Sequence, residues 1–148
     1  MSSPRPFDHS DYVFELKYDG FCAVAYLENG KCQLASRNGS VFASFSTLAA
    51  RMAASLPLLK SATLDGEIVC VDQHGRPQFR DLLFHRAEPC FFAFDLLGYE
   101  GKDLKLTALI ERKAELRRIL RGRRILHVFD TRITSSATGP DSLNECAP

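Results

Sequence analysis

The dipeptide Asn29-Gly30 restricts the fold of this chain more than any other feature, because it separates two short segments, 23–27 and 31–36. A two-residue type I′ turn needs a positive φ at both central positions, and Asn-Gly is a favoured pair there. The sequence therefore predicts an antiparallel hairpin. A second such pair, Asn38-Gly39, predicts the end of its second strand.

Other segments predict more strands. Apolar and polar residues alternate over Tyr12–Lys17, which is typical of a strand with one buried face. Ala62 to Val71 predicts another strand, and a further one is expected over 124–129. The run from Cys90 to Leu97 is almost wholly apolar, which predicts a central strand covered on both faces.

Two helices complete the pattern. Leu48, Met52 and Leu56 recur at a spacing of four before Pro57, which predicts a helix over 46–56. A second helix is expected from a cap at Thr107 to about Arg121, with Gly122 as its terminator. The order of elements predicts an α+β fold with mainly antiparallel sheets and flanking helices.

Composition sets the predicted domain boundaries. We expect residues 1–10 to be a flexible N-terminus, residues 11–130 to form the folded domain, and residues 131–148, rich in Thr, Ser, Gly and Pro, to be a disordered tail. The sequence contains neither an apolar run near the roughly 20 residues of a membrane helix nor a visible secretory signal. These features predict a cytoplasmic protein without a membrane partner.

The cysteines show no metal-binding or disulfide pattern. The chain has five, none in a C-x-x-C pair and none at ligand spacing from a histidine. They are interpreted as reduced thiols, and a structural zinc site is not expected: Cys22, Cys32, Cys70, Cys90 and Cys146.

Three polar clusters interrupt the strand pattern. They are Glu15 to Gly20, Ser36 to Gly39, and Asp65-Gly66-Glu67. Charges within an apolar strand are costly unless they are paired or bind a cation, and the glycine allows close approach of a ligand or a backbone. The first cluster also fits a surface lysine at a strand end, and the second fits an ordinary hairpin exit. Taken singly, each of the three signals is weak.

Together, in this order, the clusters resemble the covalent nucleotidyltransferases, specifically ATP-dependent DNA ligases of the bacterial end-joining type. The resemblance is carried by Lys17-Tyr18-Asp19-Gly20, Ser36-Arg37-Asn38-Gly39, Asp65-Gly66-Glu67 and Phe92-Ala93-Phe94-Asp95-Leu96-Leu97. It extends from Pro6 to about Leu120. It implies part of an ATP-grasp-like nucleotidyltransferase fold, the adenylation domain of a DNA ligase.

The resemblance implies a role for Lys17 as the catalytic nucleophile. Its neutral amine would attack the α-phosphate of ATP, release pyrophosphate and retain AMP as a phosphoramide. A free lysine has a pKa of about 10.4, so the site must lower that pKa by desolvation or by a nearby positive charge.

The resemblance also implies the nucleotide-binding residues. Asp19 and Gly20 would shape the turn that presents the lysine, and Arg37 would bind the ribose or a phosphate. Phe94 would stack on the adenine, although a core phenylalanine fits the same run. The remaining assignments are Glu15 near the adenine edge, Glu67 at the ribose or Mg²⁺, and Asp65 as a second Mg²⁺ ligand.

The implied activity is the sealing of DNA nicks in repair and recombination. AMP would pass to the 5′-phosphate of nicked double-stranded DNA, and the adjacent 3′-hydroxyl would displace it. End-joining repair proteins are implied partners, and a bacterial, nucleoid-associated location is implied with them.

The sequence departs from the family in two ways. Cys22 stands where these ligases usually carry an arginine. The late Glu-Gly motif and paired lysines are also not found, since the only later glutamate is Glu145 and no lysine follows Lys113. We therefore expect a truncated domain with poor nick sealing. A non-catalytic remnant with weak nucleotide or DNA binding is the alternative, and an RNA ligase or capping enzyme is a third.

The segment 101–124 is strongly basic, with nine Lys or Arg against three Asp or Glu. Such a density is compatible with contacts to a nucleic-acid backbone. A long amphipathic helix also needs a solvated polar face, and local pairing with Glu111 and Glu115 fits that need. We favour the solvated face.

Overall fold

A computed structural model of the chain describes residues 19–123 and 126–128. Six strands in these residues form one sheet in the order β2-β1-β3-β4-β5, with β6 beside β4. All neighbours pair antiparallel except β4 and β6, which are parallel. The strands are β1 (Phe21–Glu28), β2 (Lys31–Ala35), β3 (Ser61–Val69), β4 (Cys90–Tyr99), β5 (Lys102–Asp103) and β6 (Leu126–Val128).

The predicted hairpin is confirmed. Strands β1 and β2 pair up to Glu28 and Lys31, and Asn29 and Gly30 form the turn with φ values of 49° and 77°. The expected strands over 62–71 and 90–97 are also present as β3 and β4. β4 lies within the sheet, between β3 and the pair β5 and β6. Only one face of β4 is buried and the other is half-buried, so the expected cover on both faces is wrong.

The two predicted helices are present as α1 (Ser46–Ser55) and α3 (Leu109–Leu120). The expected cap at Thr107 is wrong: Ala108 occupies the N-cap position, and no side chain caps the helix. Gly122 follows α3 with a φ of 76°, as its predicted role as terminator requires. The short helix α2 (Phe79–Leu83) and a 3₁₀ turn over Ala43–Phe45 were not predicted.

One face of the sheet forms the hydrophobic core. Residues of β1, β3 and β4 on this face pack with Leu48 and Met52 of α1 and with Leu116 and Leu120 of α3. Alternation explains the separation, because successive side chains of a strand point to opposite faces. The buried sheet residues of this core include Ala23, Ala25, Leu27, Ala62, Leu64, Ile68, Phe91, Ala93 and Leu96.

The cysteines agree only in part with their interpretation as reduced thiols. Cys32, Cys70 and Cys90 are free, and burial raises the pKa of Cys32 to about 12 and that of Cys90 to about 11. Cys22 is disulfide-bonded, so the interpretation is wrong for that residue.

Several predictions fall outside the described residues. These are the strand over Tyr12–Lys17, the flexible N-terminus over 1–10, the tail over 131–148 and Cys146. Among the described helices, none combines the length and apolar character needed to cross a membrane.

Candidate nucleotide-binding face

The second face of the sheet, opposite the hydrophobic core, contains a β-bulge in β4. Gly66 pairs with Ala93 and Asp65 pairs with Asp95, so the register between β3 and β4 shifts by one residue at Phe94. Phe91, Ala93 and Leu96 are buried in the core, whereas Phe92, Phe94 and Asp95 are half-buried. The bulge therefore lets two successive residues, Phe94 and Asp95, lie on the side away from the core.

Two rows of residues cross this second face. In one row Glu67 on β3 lies between Cys22 on β1 and Phe92 on β4. In the next row Asp65 lies between Val24 and Asp95. Glu67 is 2% exposed, which is rare for a glutamate unless it serves a binding or pairing role.

Arg37 joins this face from the loop after β2. Its Nη2 donates to Oδ2 of Asp65 at 3.2 Å, and the two side chains are 42% and 22% exposed. Burial raises the pKa of Asp65 above its usual value, the Arg37 guanidinium opposes that change, and the neighbouring Asp95 carboxylate adds to it. The exposed part of Arg37 remains accessible to an anionic ligand.

Asp95 is held by an arginine of α3. Arg112 donates from Nε to Oδ1 of Asp95 at 2.9 Å and from Nη2 to Oδ2 at 3.0 Å. The two side chains are only 14% and 18% exposed. This bidentate geometry is the strongest form of an arginine–carboxylate pair, and it neutralises one of two adjacent carboxylates on the face.

Glycines bring the strands of the site close together. A Cβ on Gly66 would lie 2.2 Å from the carbonyl oxygen of Phe92 and 2.6 Å from the Phe91 ring. A Cβ on Gly20 would lie 2.2 Å from the carbonyl oxygen of Ile68 and 3.1 Å from Cγ of Glu67. The start of β1 therefore passes directly beside Glu67.

The structure brings together most of the described residues that the sequence singled out. Asp65, Glu67 and Phe94 share the second face, Arg37 reaches it, and Gly20 borders it. Asp19 is exposed at the bend before β1. Lys17 and Glu15 lie outside the described residues.

Sequence reasoning missed Arg112 and did not assign a role to Asp95. The signal was present, since Asp95 stands inside the recognised run Phe92 to Leu97. Its partner is 17 residues away on a different element, and no local pattern links two residues at that separation.

The carboxylates fit a single Mg²⁺ only in part. No cluster of three or more metal-binding side chains occurs in residues 19–123. Mg²⁺ needs fewer, because it keeps several waters and binds one or two carboxylates together with substrate phosphates. Oδ1 of Asp65 is buried without a hydrogen-bond partner of good geometry, so this oxygen is a suitable ligand.

A cleft of about 340 Å³ lies elsewhere, between the start of α1 and the loop after α2. Its lining includes Phe45, Arg51, His85 and Glu88, and an ion pair of 3.3 Å between Arg51 and Glu88 crosses it. It contains none of the predicted site residues. The second face of the sheet, and not this cleft, is the candidate site.

A sheet of this topology, with an arginine, two acidic residues and an aromatic residue at one face, agrees with the nucleotidyltransferase fold that the resemblance implies. The family model for the ATP dependent DNA ligase domain matches residues 5–145. The chain therefore belongs to the ATP-dependent DNA ligase domain family.

Similar proteins agree with this family. The chain is 38% identical over 118 residues to the multifunctional non-homologous end joining protein LigD of Pseudomonas aeruginosa, covering 76% of this chain and 14% of the relative. It is 32% identical over 129 residues to the bifunctional LigD of Bacillus subtilis, covering 75% of this chain and 21% of the relative. The chain thus spans about a seventh to a fifth of these curated relatives.

Solved structures give the same result for the fold. The ligase domain of M. tuberculosis LigD matches with a TM-score of 0.70 and 30% identity, over 80% of this chain and 39% of that one. A mycobacterial DNA ligase D complexed with ATP and MES matches with a TM-score of 0.69 and 31% identity, over the same shares. The predicted α+β nucleotidyltransferase fold of a ligase adenylation domain is confirmed.

Proposed function

We propose that this chain binds ATP on the second face of its sheet and transfers AMP to Lys17. The observation that carries the proposal is the convergence of Arg37, Asp65, Glu67 and Phe94 on one face. The mycobacterial relative with 31% identity is a complex with ATP, which supports a nucleotide at this face. The location of Lys17 itself is part of the proposal.

Chain geometry is compatible with this role for Lys17. It precedes Gly20 by three residues, so its Cα lies within about 11 Å of the Gly20 Cα at standard Cα spacing. Gly20 packs against Glu67 and Ile68. Asp19 and Gly20 therefore form the turn that leads from the lysine into β1, beside the buried carboxylate.

Each remaining residue has a role that its surroundings permit. The exposed part of Arg37 binds the ribose or a phosphate, while its other contact with Asp65 fixes the guanidinium. Phe94 stacks on the adenine from the bulge, and Glu67 binds the ribose or helps to hold Mg²⁺. Glu15 at the adenine edge is carried by the family resemblance alone.

The chemical step is a nucleotidyl transfer. The neutral Nζ of Lys17 attacks the α-phosphorus, a P–N bond forms and the P–O bond to pyrophosphate breaks. The nitrogen, which becomes positively charged as the bond forms, then loses one proton to solvent. Asp65, with Glu67, would hold Mg²⁺, which would neutralise phosphate charge. Positioning and charge neutralisation provide most of the catalysis in such transfers.

The relatives support a proposal for the activity of the whole protein. We infer that AMP passes to the 5′-phosphate of a nick in double-stranded DNA, and that the chain acts in DNA end joining with other repair proteins. Two relatives are named as non-homologous end joining proteins, which supports this substrate and these partners. A cytoplasmic, nucleoid-associated location accompanies this function.

The test is covalent labelling of the purified chain with α-labelled ATP and Mg²⁺, followed by denaturing electrophoresis. We expect retained label in the natural chain and none in Lys17→Ala. The matched control is Lys31→Ala, at an exposed lysine of β2, which should keep the label. A folded chain that takes up no label, or a Lys17→Ala variant that is labelled equally, would contradict the proposal.

A further inference from the structure

Three phenylalanine rings, here called the phenylalanine cluster, pack against one another where β1 begins. The ring centroids of Phe21 and Phe42 are 6.2 Å apart, those of Phe21 and Phe45 are 5.9 Å apart, and those of Phe42 and Phe45 are 6.1 Å apart. All three separations are favourable for aromatic pairs. Phe45 is buried in the core, and the other two rings are partly buried against it. The cluster therefore joins three segments of the chain at the border of the core.

One member of the phenylalanine cluster holds the start of β1. Cys22 pairs with Glu67 on the second face, so Phe21, one residue earlier, lies on the core side. Phe21 directly follows Gly20. The cluster thus anchors the point at which the turn from Lys17 enters β1.

A second member closes the loop that carries Arg37. The backbone N–H of Phe42 donates to a carbonyl oxygen of β2 at 2.9 Å. Val41 forms an isolated antiparallel bridge with Ala35, the last residue of β2. These contacts hold the two ends of the loop together, so a displacement of Phe42 displaces one end of the loop that carries Arg37.

We propose that the phenylalanine cluster aligns the Lys17 turn with the Arg37 loop, and that Phe42 is a positioning residue for the transfer of AMP to Lys17. The ring of Phe42 packs against Phe21 at the base of the lysine turn, while its backbone closes the arginine loop. This inference rests on the proposed function, because it takes Lys17 as the nucleophile and Arg37 as a ligand of the nucleotide. Phe42 acts through these two segments and need not touch ATP.

Alignment of the two segments affects the rate of transfer more than the binding of the nucleotide. Transfer needs the lysine nitrogen close to the α-phosphorus and in line with the leaving group, and a misplacement of about 1 Å can cost about a hundredfold in rate. Binding is spread over several contacts on the second face, so it tolerates such a shift better. A ring with a merely structural role would change stability and leave the rate of the folded molecules unchanged.

The test is single-turnover labelling of the full chain with α-labelled ATP and Mg²⁺ over a range of ATP concentrations. It separates the saturating rate of lysine adenylation from the ATP concentration that gives half that rate. Phe42→Ala removes the ring, and Phe42→Tyr keeps it. Leu116→Ala is the matched control for lost stability, because this fully buried leucine lies on α3, which packs against β4 and β6. Far-UV circular dichroism identifies the folded variants, and thermal unfolding measures their stability.

We expect Phe42→Ala to lower the saturating rate at least about tenfold and to change the half-saturating ATP concentration less than about threefold. Phe42→Tyr should keep the natural rate, since it restores the ring. Leu116→Ala should lower the unfolding temperature and keep the rate in its folded molecules. Phe21→Ala should slow the transfer as Phe42→Ala does, and the double variant should lose little more, because both rings act through one contact.

A variant that keeps more of the side chain covers the case in which Phe42→Ala does not fold. Phe42→Leu keeps most of the apolar volume and loses the ring, and it should slow the transfer about threefold with a smaller loss of stability.

Three results would overturn the inference. In the first, folded variants without the Phe42 ring transfer AMP at the natural rate. In the second, only their half-saturating ATP concentration changes, and in the third, Leu116→Ala slows the transfer as much as they do. Failure of the proposed function looks different, since the natural chain would then take up no label, or the label would persist in Lys17→Ala.

Discussion

Gly66 is the residue on which the geometry of the site depends most directly. The absence of a side chain lets β3 approach β4 at the bulge, where a Cβ would clash with the backbone of Phe92 and the ring of Phe91. Backbone and a buried ring cannot move aside as a flexible side chain can. The glycine between Asp65 and Glu67 thus serves strand packing as well as the two carboxylates beside it.

Gly66→Ala should lower the free energy of unfolding by about 3 kcal/mol, at the upper end of the usual cost of overpacking a core. Gly98→Ala is the matched control on β4, because its Cβ would meet its nearest neighbours at an ordinary 3.5 Å. It should cost less than about 1 kcal/mol. Urea unfolding measures both, and equal costs would contradict the close-approach argument.

The raised pKa of Asp65 predicts the direction in which the stability of an Asp65→Asn variant changes with pH. Burial raises its pKa in the folded chain, which means that the fold favours the protonated carboxyl. The chain therefore loses stability as the pH rises from the ordinary pKa of about 3.9 through the raised value. The Asp65→Asn variant does not lose this stability, because asparagine does not ionise. Its stability relative to the natural chain should therefore be greater at pH 7 than at pH 3, as measured by urea unfolding.

Asp72 is a control, because its pKa is lowered in the fold, whereas the pKa of Asp65 is raised. Backbone N–H groups of Arg76 and His74 and the Arg76 side chain lower the pKa of Asp72. The ionised form is favoured in the fold, so stability is lost as pH falls through the lowered pKa. Asp72→Asn should be less stable than the natural chain at pH 7 and approach it at low pH. The same sign for both variants would refute the assignment.

At the scale of elements, α3 contains a buried lysine beside its core leucines. Lys113 is 3% exposed, and burial, followed by the nearby Arg117 charge, lowers its pKa to about 8. The charged form is disfavoured in the fold, so the natural chain gains stability as pH rises from about 8 toward the ordinary lysine pKa of about 10.4.

The free energy of unfolding of Lys113→Met should therefore exceed that of the natural chain most at pH 7, and this difference should be lost by pH 10. Unfolding free energies at the two pH values give the comparison. Lys105→Met, at an exposed lysine before the helix, serves as the control. A difference between Lys113→Met and the natural chain that is constant across pH would show that Lys113 carries no such penalty.

The sequence predicted regular elements better than the connections between them. The hairpin at Asn29-Gly30, the helix α1 and the central strand β4 each have a local signal in turn residues or periodicity. Arg37, Asp65, Glu67 and Phe94 were placed through ordered motifs that short-range spacing preserves. The bulge at Phe94 and the pair Asp95–Arg112 depend on register and on packing across elements, which local patterns do not encode.

At the scale of the whole molecule, the net charge of +1 is unevenly distributed, and the segment 101–124 is strongly basic. Within the described residues α3 and its continuation carry Arg117, Arg118, Arg121 and Arg123 on exposed positions. Arg118 pairs with Glu115. No ion pair within the described part of the chain engages Arg121 or Arg123, so these two are the best candidates for phosphate contacts.

The double variant Arg121→Gln and Arg123→Gln should weaken binding to nicked duplex DNA. It should also reduce the salt dependence, the slope of log K against log salt, by up to about 2. Arg51→Gln with Arg76→Gln removes equal charge from exposed arginines that pair with Glu88 and Asp72. An equal loss in both double variants would indicate a general charge effect and would leave α3 with the solvated face that the sequence favoured.

The register between β4 and β3 shifts twice, at Phe94 and at Leu97, so β4 has two residues more than regular pairing requires. Without Phe94 the order Ala93, Asp95, Leu96 would alternate normally, and the core residues would keep their face. The buried core residues of β4 and the half-buried Phe94 therefore occupy separable positions of one strand. On the proposed role of Phe94, a single-codon deletion would leave a folded scaffold without its contact to the base, so related chains could diverge in what they bind while their sheet stays the same.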